Sequence, residues 1–429
     1  MAVRPLDSPG VRLLRRNRDF RRFLAGQFVT NAGDSLYTVA VVWTVHDLTG
    51  SAAVTGAVNA VLLLPWLLQI LAGPLIDRLP VGPVLVGTQV VQGAVVLTLP
   101  LAAATGRTSV GLLAATALAV TLGTVLLSPV PAVVVPRIVD DDRLSDANSA
   151  LATVTLGLDV VFDAVGGVAV AVVGAATLFF VDAATFAVAA ALFAGITIPP
   201  AADSDDGEAS GETDSGSVGA EYVADLRDGV DVLRGTVFVD LVALTAAVNL
   251  ATGVTLATLP AFADGLAGSA VYGLLLGALG TGRLVGSLAA PRLERLPYGR
   301  VTVVSYGLAT VCWLGAATVD SPAVAVVLFG LAWIPPGIDG VFTSTLNQRV
   351  FPDRVLGRVS SVKGAAAGAT LPLGSLLGGV VAGAVGPTTT VALAAGGVAV
   401  VAVGFLVRPR LRRLPAVAEA SPEDFDVEP

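Results

Sequence analysis

Long apolar segments follow one another along the whole chain and are separated by short polar or charged connectors. Each segment has roughly the 20 residues that a helix needs to cross the hydrocarbon core of a bilayer. Gly, Ala, Leu and Val dominate these segments, which are far longer than the strands of membrane barrels, so the pattern predicts helices. Twelve spans are predicted, at 23–46, 52–76, 82–105, 109–136, 147–172, 175–198, 236–262, 269–291, 300–319, 322–347, 358–384 and 387–407.

One charged connector occurs twice in nearly the same form. Residues 72–82 read AGPLIDRLPVG, and residues 289–299, which lie 217 positions later, read AAPRLERLPYG. Six of the eleven positions are identical, and Asp77 has an acidic counterpart in Glu294. A repeated connector predicts a repeated architecture, and a parallel repeat needs an even number of spans in each half. The predicted fold is an all-α polytopic membrane protein with 12 transmembrane helices in two parallel-repeat six-helix bundles.

The predicted bundles occupy residues 23–198 and 236–407, and the segments outside them are polar. Residues 1–22 form an Arg-rich tail, and residues 408–429 form a second tail, which is expected to be loose after Pro415. Residues 199–235 form a linker that begins with PPAADSDDGEASGETDSGSVGA, an acidic stretch with too little apolar surface to order itself. The linker ends with EYVADLRDGVDVLRG, which predicts a short amphipathic helix at the membrane surface, with an extension of span seven as the alternative.

Arginine is distributed unequally between the two sides of the predicted membrane. If the spans alternate in direction, both tails and the linker fall on the Arg-rich side, and only Arg107 remains on the other. Positively charged connectors are retained in the cytoplasm. The chain is therefore predicted to be a multi-pass plasma-membrane protein with cytoplasmic N- and C-termini.

The composition excludes a soluble fold, and the charged residues show an excess of acidic over basic side chains. The chain is 54% hydrophobic and 14% charged, with a mean hydropathy of +0.81, whereas soluble domains carry about a quarter of charged residues. Acidic residues outnumber basic ones by 33 to 25, and Lys363 is the only lysine. This excess indicates either adaptation to high salt, where hydrated carboxylates keep loops soluble, or a codon bias that replaces Lys with Arg.

A polar face interrupts the apolar sequence of span one. Gln27, Asn31, Asp34 and Thr38 follow at spacings of four, three and four residues, which places them on one side of a helix. In span seven, Asn249 lies 218 positions after Asn31, at the same depth in the second half. The Asn and Thr side chains either line a water-filled cavity or form hydrogen bonds between helices. An ionisable residue within a span is costly, so Asp34 is interpreted as a cavity residue.

Further ionisable residues lie within the later spans. Asp159 and Asp163 of span five are four residues apart and share a helical face. Two carboxylates that close in a low dielectric resist ionising together, which suits proton coupling; pairing with an arginine of another span is the alternative. Arg283 is a membrane-embedded cation in span eight, and Asp339 in span ten is a candidate partner for it.

Two residues nearer the span ends are interpreted differently. Lys363 lies early in span eleven, and its long side chain is expected to extend to the inner membrane surface. Asp182 is placed near the outer part of span six, where it is expected to meet lipid headgroups.

The connector AGPLIDR resembles the loop between spans two and three of major facilitator superfamily transporters, with Gly73, Leu75, Asp77 and Arg78 at the positions of the motif. The basic cluster that normally follows is replaced here by LPVGPV. The resemblance implies a gate in which the carboxylate braces the inner helix ends and favours the outward-open state. The gating residues that it implies are Gly73, Asp77, Arg78, Arg137, Glu294, Arg295, Gly357 and Arg358.

Longer stretches narrow the resemblance to a subgroup. NRDFRRFLAGQFVTNAGDSLYTVAVVW with LTGS, ADLRDGVDVL and FPDRVLGRVSSV resemble efflux proteins that include macrolide exporters and the enterobactin exporter. The resemblance implies a secondary active transporter that works by alternating access, with proton entry neutralising Asp34, Asp159 or Asp163. The expected partners are the lipid bilayer, a lipophilic or amphipathic substrate of drug or siderophore type, and H⁺, with Na⁺ as the alternative coupling ion.

Two other functions stay open, an importer of a nutrient or metabolite from the same superfamily and a non-transporting sensor or scaffold. An anion importer should carry Arg or Lys in both halves, and only Arg283 lies deep in a span. No enzyme activity is expected, because the only histidine, His46, lies at the rim of span one. No cofactor, metal, nucleotide or nucleic acid is expected, and a monomer would suffice because the fold binds substrate within one chain.

Overall fold

The protein is described from a computed structural model that covers residues 13–14, 16–64, 80–199, 227 and 229–427. Fourteen helices of nine residues or more make up most of these residues, and the only β-bridge among them joins Pro297 to Ala416. The helices are α1 Arg18–Thr49, α2 Ala52–Leu62, α3 Val81–Ala104, α4 Val110–Leu127, α5 Val130–Ile138, α6 Leu144–Val173, α7 Ala175–Ala194, α8 Val237–Asp264, α9 Ser269–Leu293, α10 Tyr298–Thr318, α11 Pro322–Ala332, α12 Ile334–Val350, α13 Asp353–Val385 and α14 Pro387–Val407.

These helices account for the twelve predicted spans. In the described part of the chain, nine segments are long and apolar enough to cross a membrane, and they comprise α3, α4, α7 to α10, α11 with α12, most of α13, and α14. The other three predicted spans correspond to α1 and α6, which have 32 and 30 residues, and to α2, the described beginning of span two. The all-α polytopic fold predicted from the hydrophobic pattern is confirmed.

Spans four and ten are each divided into two helices, although the sequence pattern predicts them as continuous. Ser128 and Pro129 separate α4 from α5, and Trp333, two residues before Pro335, separates α11 from α12. Proline lacks the backbone N–H that continues a helix and its ring clashes with the preceding turn. Hydropathy does not register this loss, so the spans were predicted without these breaks, which fall in corresponding spans of the two halves.

The repeat is visible in two single-residue connections. Gly174 joins α6 to α7 with φ 79° and ψ 154°, and Gly386 joins α13 to α14 with φ 88° and ψ 156°. This region of backbone conformation is accessible almost only to glycine. The two halves therefore use the same one-residue turn between their last two spans.

Contacts divide the chain into two compact units. The first unit comprises Met1–Ala202 with Ala263–Gly277, and the second comprises Asp203–Phe262 with Ala278–Pro429. In the first unit α1 packs against α6 and α7, and α3 packs against α7; in the second, α10 packs against α11 and α14. The polar clusters considered below each lie within one unit.

The segment Ala263–Gly277 is held in the first unit by contacts with α1. The rings of Trp43 and Tyr272 stack with centroids 6.0 Å apart, and His46 Nε2 lies 3.6 Å from Asp264 Oδ2. His46, although it lies near the end of α1, is 8% exposed. The histidine thus anchors this segment of the first unit.

The C-terminal strap, defined as residues 408–427, packs against the second unit and is not the loose tail that the sequence suggested. Its backbone pairs with the turn before α10, through Tyr298 N–H to Pro415 O (3.0 Å) and Ala418 N–H to Glu294 O (3.0 Å). The prediction was wrong because the acidic, Pro-containing end hides scattered apolar residues that find buried sites on the second unit. These are Leu411, Leu414, Ala416, Val417, Phe425 and Val427.

Helices α8 and α13 approach closely where small residues meet. A Cβ atom added to Gly374 would lie 2.9 Å from the carbonyl carbon of Leu250 and 3.1 Å from the Cα atom of Gly253. Membrane helices rely on such small residues to bring their backbones into van der Waals contact. The crossing therefore leaves no room for a side chain at Gly374.

Replacing Gly374 with Ala is expected to lower the free energy of unfolding by about 1–3 kcal/mol, since the added methyl group must push α8 and α13 apart. Gly383 on the same helix is the matched control, because no described atom lies within 4 Å of the place that an added methyl group would occupy. Gly383→Ala should be neutral or stabilising by up to about 1 kcal/mol through helix propensity. Thermal unfolding in detergent, followed by tryptophan fluorescence, compares the two variants; equal effects would contradict the close crossing.

Candidate functional site

The polar face predicted for span one lies on α1, and its four residues, Gln27, Asn31, Asp34 and Thr38, are half-buried. Asp34 lies 16 residues after the start of the 32-residue helix, so it is at its middle. Asn31 Nδ2 donates to the carbonyl oxygen of Gln27 at 2.7 Å, which ties that amide to its own helix. Asp34 is therefore the ionisable group of this face.

A second carboxylate lies next to Asp34 inside the first unit. Asp182 of α7 is 0% exposed, and the two carboxyl groups are close enough to interact electrostatically. Thr185 Oγ1 donates to Asp182 Oδ1 at 3.2 Å, and Tyr37 Oη lies 3.4 Å from Thr116 Oγ1. We refer to Asp34, Tyr37, Thr116, Asp182 and Thr185 as the acidic cluster.

The expectation that Asp182 meets lipid headgroups was wrong. Helix α7 begins at Ala175, so Asp182 lies two turns, or about 10 Å, from its end. The packing of α1 on α7 turns the carboxylate toward the helix bundle and away from the surface. The signal available in the sequence was the presence of an ionisable residue in an apolar span, which deserved the same weight as Asp34.

Two buried glutamines of α3, which sequence reasoning missed, extend the polar interior of the first unit. Gln89 and Gln92 are each 3% exposed and lie one turn apart. Thr30 Oγ1 donates to Gln89 Oε1 at 3.3 Å, and Gln92 Nε2 donates to the carbonyl oxygen of Val120 at 2.9 Å. The interior of this unit therefore offers amide and hydroxyl groups in addition to carboxylates.

The Asp159 and Asp163 pair predicted in span five lies on α6, four residues apart on one helix. The side chains of both residues lie outside the described part of the structure. Their role as a carboxylate pair stays a prediction.

The second unit holds a separate group of polar residues around Asp339 of α12, in which Tyr298 and Tyr306 are buried, Asp339 and Lys363 are half-buried and Arg283 is exposed. Tyr298 Oη donates to Asp339 Oδ1 at 2.8 Å, and Tyr306 of α10 is close enough to interact with the same carboxylate. Lys363 of α13 also interacts electrostatically with Asp339. We refer to Arg283, Tyr298, Tyr306, Asp339 and Lys363 as the Asp339 cluster.

Lys363 points into the second unit and does not extend to the membrane surface as expected. Its Nζ atom donates to Asn347 Oδ1 at 2.6 Å and lies 4.9 Å from the centre of the Phe238 ring. The Asn347 amide, the face of the Phe238 ring and the nearby Asp339 are partners for the ammonium group, and all three are distant from Lys363 in the sequence. Sequence position near a span end was therefore a poor guide to its direction.

The pairing predicted between Arg283 and Asp339 is not formed as an ion pair in the described part of the structure. Asp339 accepts its hydrogen bond from Tyr298. Arg283 interacts with Tyr306, and the two tyrosines thus lie around the acid and the cation. Tyr298 was missed because a tyrosine at a helix end resembles an ordinary interfacial residue, and Tyr306 because a single tyrosine within an apolar span gives no pattern.

The polar residues of span seven are mostly bonded within their own helix. Asn249 is half-buried, while the hydroxyls of Thr252 and Thr255 donate to Val248 O and Ala251 O, each at 2.8 Å. Such bonds to the preceding turn satisfy a hydroxyl without a partner helix. Among these polar residues of span seven, Asn249 is therefore the one that remains a candidate for substrate contact.

The gating residues implied by the resemblance are described only in part. Gly73, Asp77 and Arg78 lie outside the described residues, so the gating role that the resemblance implies for Asp77 stays a prediction. Gly357 and Arg358 lie in α13, but their side chains are also outside the described part. Arg137 is half-buried in the last turn of α5, Glu294 is half-buried beside the C-terminal strap, and Arg295 is exposed.

Long apolar helices with carboxylates, amides and tyrosines buried inside each unit define a polytopic membrane transporter. Ionisable groups at membrane depth mark ion and substrate pathways in such proteins. The described residues contain no group of three or more His, Cys, Asp or Glu side chains arranged to hold a metal ion.

The chain belongs to the family MFS_3, described as Transmembrane secretion effector, whose profile matches residues 14–428. The resemblance to the major facilitator superfamily drawn from the repeated connector is thereby confirmed. No curated protein matches the chain significantly.

Solved structures of transporters share the fold. A bacterial homologue of the human lysosomal transporter Spinster, inward-facing and occupied, aligns with a TM-score of 0.67 at 14% identity, covering 95% of this chain and 97% of that one. The nucleoside transporter NupG aligns with a TM-score of 0.66 at 15% identity, covering 90% and 98%. A bacterial homologue of the iron transporter ferroportin aligns with a TM-score of 0.64 at 17% identity, covering 91% and 98%. The family and these neighbours are transporters and not enzymes.

Proposed function

We propose that this membrane transporter is a proton-coupled antiporter that exports a lipophilic or amphipathic small molecule of drug or siderophore type by alternating access. The observation that carries the proposal is the half-buried carboxylate of Asp34 at the middle of α1, within the acidic cluster. An ionised carboxylate at membrane depth costs free energy, so such residues usually have a function. Binding a proton removes the charge and with it this cost. Asp159 and Asp163 remain further candidates for the same role.

Export is supported by the description of the family as a secretion effector and by the resemblance to efflux proteins. A lipophilic cargo is supported by the interior of the first unit, where amides and hydroxyls such as those of Gln89, Gln92 and Thr30 lie among apolar walls. Hydrophobic walls with a few placed polar groups are typical of sites for drug-sized molecules. The substrate-facing residues that we propose are Gln27, Asn31, Asp34, Thr38, Asn249, Arg283 and Asp339.

The proposed setting is the plasma membrane, with both termini in the cytoplasm and the chain working as a monomer. The excess of arginine on one side of the predicted spans supports this orientation. Two six-helix bundles at 23–198 and 236–407 would form the moving halves, and 1–22, 199–235 and 408–429 would form the cytoplasmic flanks. The acidic charge balance further supports a protein adapted to high salt.

The test is transport by purified protein in liposomes, in molar salt, with an imposed pH gradient and a pH-sensitive dye inside. A panel of lipophilic drugs and siderophore-like compounds is added one at a time. We expect at least one compound to collapse the gradient faster than in liposomes without protein. No response to the whole panel, together with uptake driven by a Na⁺ gradient or a response to metabolites, would replace this proposal with an importer.

Import of an anionic metabolite, coupled to H⁺ or Na⁺, is the second candidate, and one observation favours it. The second unit carries two cationic side chains within its helices, the exposed Arg283 of α9 and the half-buried Lys363 of α13. A cationic pair could bind a carboxylate or phosphate. The same liposomes loaded with dye and challenged with anionic metabolites test this alternative, since an importer would respond to them and not to lipophilic drugs.

A further inference from the structure

Asp182 is buried in the middle of a span, and one of its two carboxyl oxygens has no hydrogen-bond partner among the described residues. Its Oδ1 atom accepts from Thr185 Oγ1 at 3.2 Å, and its Oδ2 atom receives no hydrogen bond from any described residue. An ionised carboxylate in such a site is strongly disfavoured, since burial without partners forfeits the hydration of the charge. The neutral carboxylic acid is disfavoured less, and it can use the second oxygen as a hydrogen-bond donor.

The crossing of α1 over α7 brings the carboxyl group of Asp182 against Gly33, the residue before Asp34. Gly33 faces α7 so closely that a Cβ atom there would overlap the side chains of Asp182 and Thr185. Asp34 and Asp182 interact electrostatically, and Tyr37, one turn further along α1, interacts with both. The carboxylate of Asp34 is therefore a candidate acceptor for a proton on the unused oxygen of Asp182.

The groups around the pair do not neutralise two negative charges. Helix α1 presents Asp34 and the phenol of Tyr37, and α3, which packs against α7, carries the buried amides of Gln89 and Gln92. Asp159 and Asp163 of α6 have side chains outside the described part, and both are acidic. The ion pairs among the described residues include none with Asp182. Two carboxylates this close in a low dielectric cannot both be ionised without a large cost.

We propose that Asp182 is held as a neutral carboxylic acid whose O–H donates to the carboxylate of Asp34, and that the pair forms the coupling-proton site. Asp34, which is only half-buried, takes one proton from water and later returns one, so the net charge of the pair alternates between −1 and 0. Asp182 keeps its own proton and acts as a positioning residue for Asp34. This inference rests on the proposed proton coupling. It identifies Asp182 as the group whose hydrogen bond stabilises the ionised form of Asp34 in a low dielectric.

The pair makes a prediction that does not require a substrate. Infrared spectra of the purified full chain near neutral pH should contain the carbonyl stretch of a buried protonated carboxylic acid, which shifts in D₂O. This band should disappear in Asp182→Asn and persist in Asp34→Asn, where the acid keeps its proton but changes its acceptor. Asp320→Asn is the matched control, because Asp320 is exposed between α10 and α11.

Transport supplies a second readout. An asparagine at position 182 keeps a donor for Asp34 and a leucine does not, so Asp182→Leu should transport at least about tenfold more slowly than Asp182→Asn. If Asp182→Leu does not fold, Asp182→Glu replaces it and should move the infrared band without removing it. A structural role alone would affect transport in these variants without changing the band.

The outcomes separate this inference from the proposed function. If the wild-type protein shows the band but transports no compound, the proposed export function is rejected and the hydrogen-bonded Asp34–Asp182 pair is retained. If transport is driven by protons but the band persists in Asp182→Asn, the neutral Asp182 is rejected and the proposed export function is retained. A band that vanishes when NaCl replaces choline chloride would assign the site to Na⁺ and overturn the proton pair.

Discussion

Asn in place of Asp34 is expected to leave the protein folded and to abolish accumulation of substrate against its gradient. Asparagine has nearly the volume of aspartate but cannot take up a proton in this range. With one proton exchanged per substrate, a gradient of one pH unit sustains a concentration ratio of about tenfold, equivalent to about 1.4 kcal/mol. Without the exchangeable proton the ratio should fall to one. Liposomes containing the variant and a compound identified in the panel measure this ratio directly.

Substrate exchange without a gradient separates a coupling defect from a binding defect. If Asp34 carries the coupling proton, Asp34→Asn should continue to exchange labelled for unlabelled substrate while losing accumulation. The matched variant Asp320→Asn should retain both activities, since this carboxylate is exposed in a connector. Full accumulation by Asp34→Asn would show that the coupling proton is carried elsewhere and would move that role to Asp159 and Asp163.

Truncation of Phe425 to alanine is expected to destabilise the second unit by about 3–5 kcal/mol, the usual cost of removing a fully buried phenylalanine. Phe425 is 1% exposed, and its ring centroid lies 5.2 Å from that of Phe238. Phe238 in turn lies 4.6 Å from Phe351. The ring of Phe425 thus closes an aromatic group at the beginning of α8, and its loss leaves a cavity there.

The position of Phe425 is fixed by local structure in the C-terminal strap. Ser421 Oγ donates to Asp424 Oδ2 at 2.7 Å, and the same carboxylate oxygen accepts from Ser421 N–H at 3.0 Å. This capping box starts the short 3₁₀ helix Pro422–Phe425 and directs the aromatic ring inward. The strap therefore behaves as part of the folded unit and not as an appended tail.

Thermal unfolding in detergent measures the effect of Phe425→Ala. Phe180→Ala is the control, because Phe180 is 59% exposed on the outer face of α7 and its loss creates no cavity. A deletion that ends the chain at Arg408 should destabilise the protein more than Phe425→Ala does, since it also removes the strap's other buried side chains and its backbone pairing. A deletion that unfolds at the wild-type temperature would show that the strap adds no stability.

The helices were predictable because the bilayer imposes rules that act locally. Its thickness fixes the length of each apolar run, and the lack of water forces each backbone to satisfy itself as a helix. Helix α14, for example, is observed at Pro387–Val407, the same residues that the hydrophobic pattern predicts. The breaks beside Pro129 and Pro335 were missed because hydropathy does not record a lost backbone donor.

The partners of the buried polar residues were not predictable in the same way. Asp182 was assigned to headgroups and Lys363 to the membrane surface, yet the first lies beside Asp34 and the second beside Asn347. Each pairing joins different helices, so it depends on how two helices rotate and cross. Small residues such as Gly33 decide these crossings over long sequence separations.

The sequence by itself determined the class of protein, its helical spans, the repeated halves and the presence of carboxylates within those spans. These properties follow from composition, from residue order and from the thickness of a bilayer. Only the tertiary structure decided that Asp182 adjoins Asp34, that Tyr298 bonds Asp339 and that the strap is folded. The physical reason is that a buried charge is tolerated only with particular neighbours, and those neighbours come from helices that packing, and not sequence order, brings together.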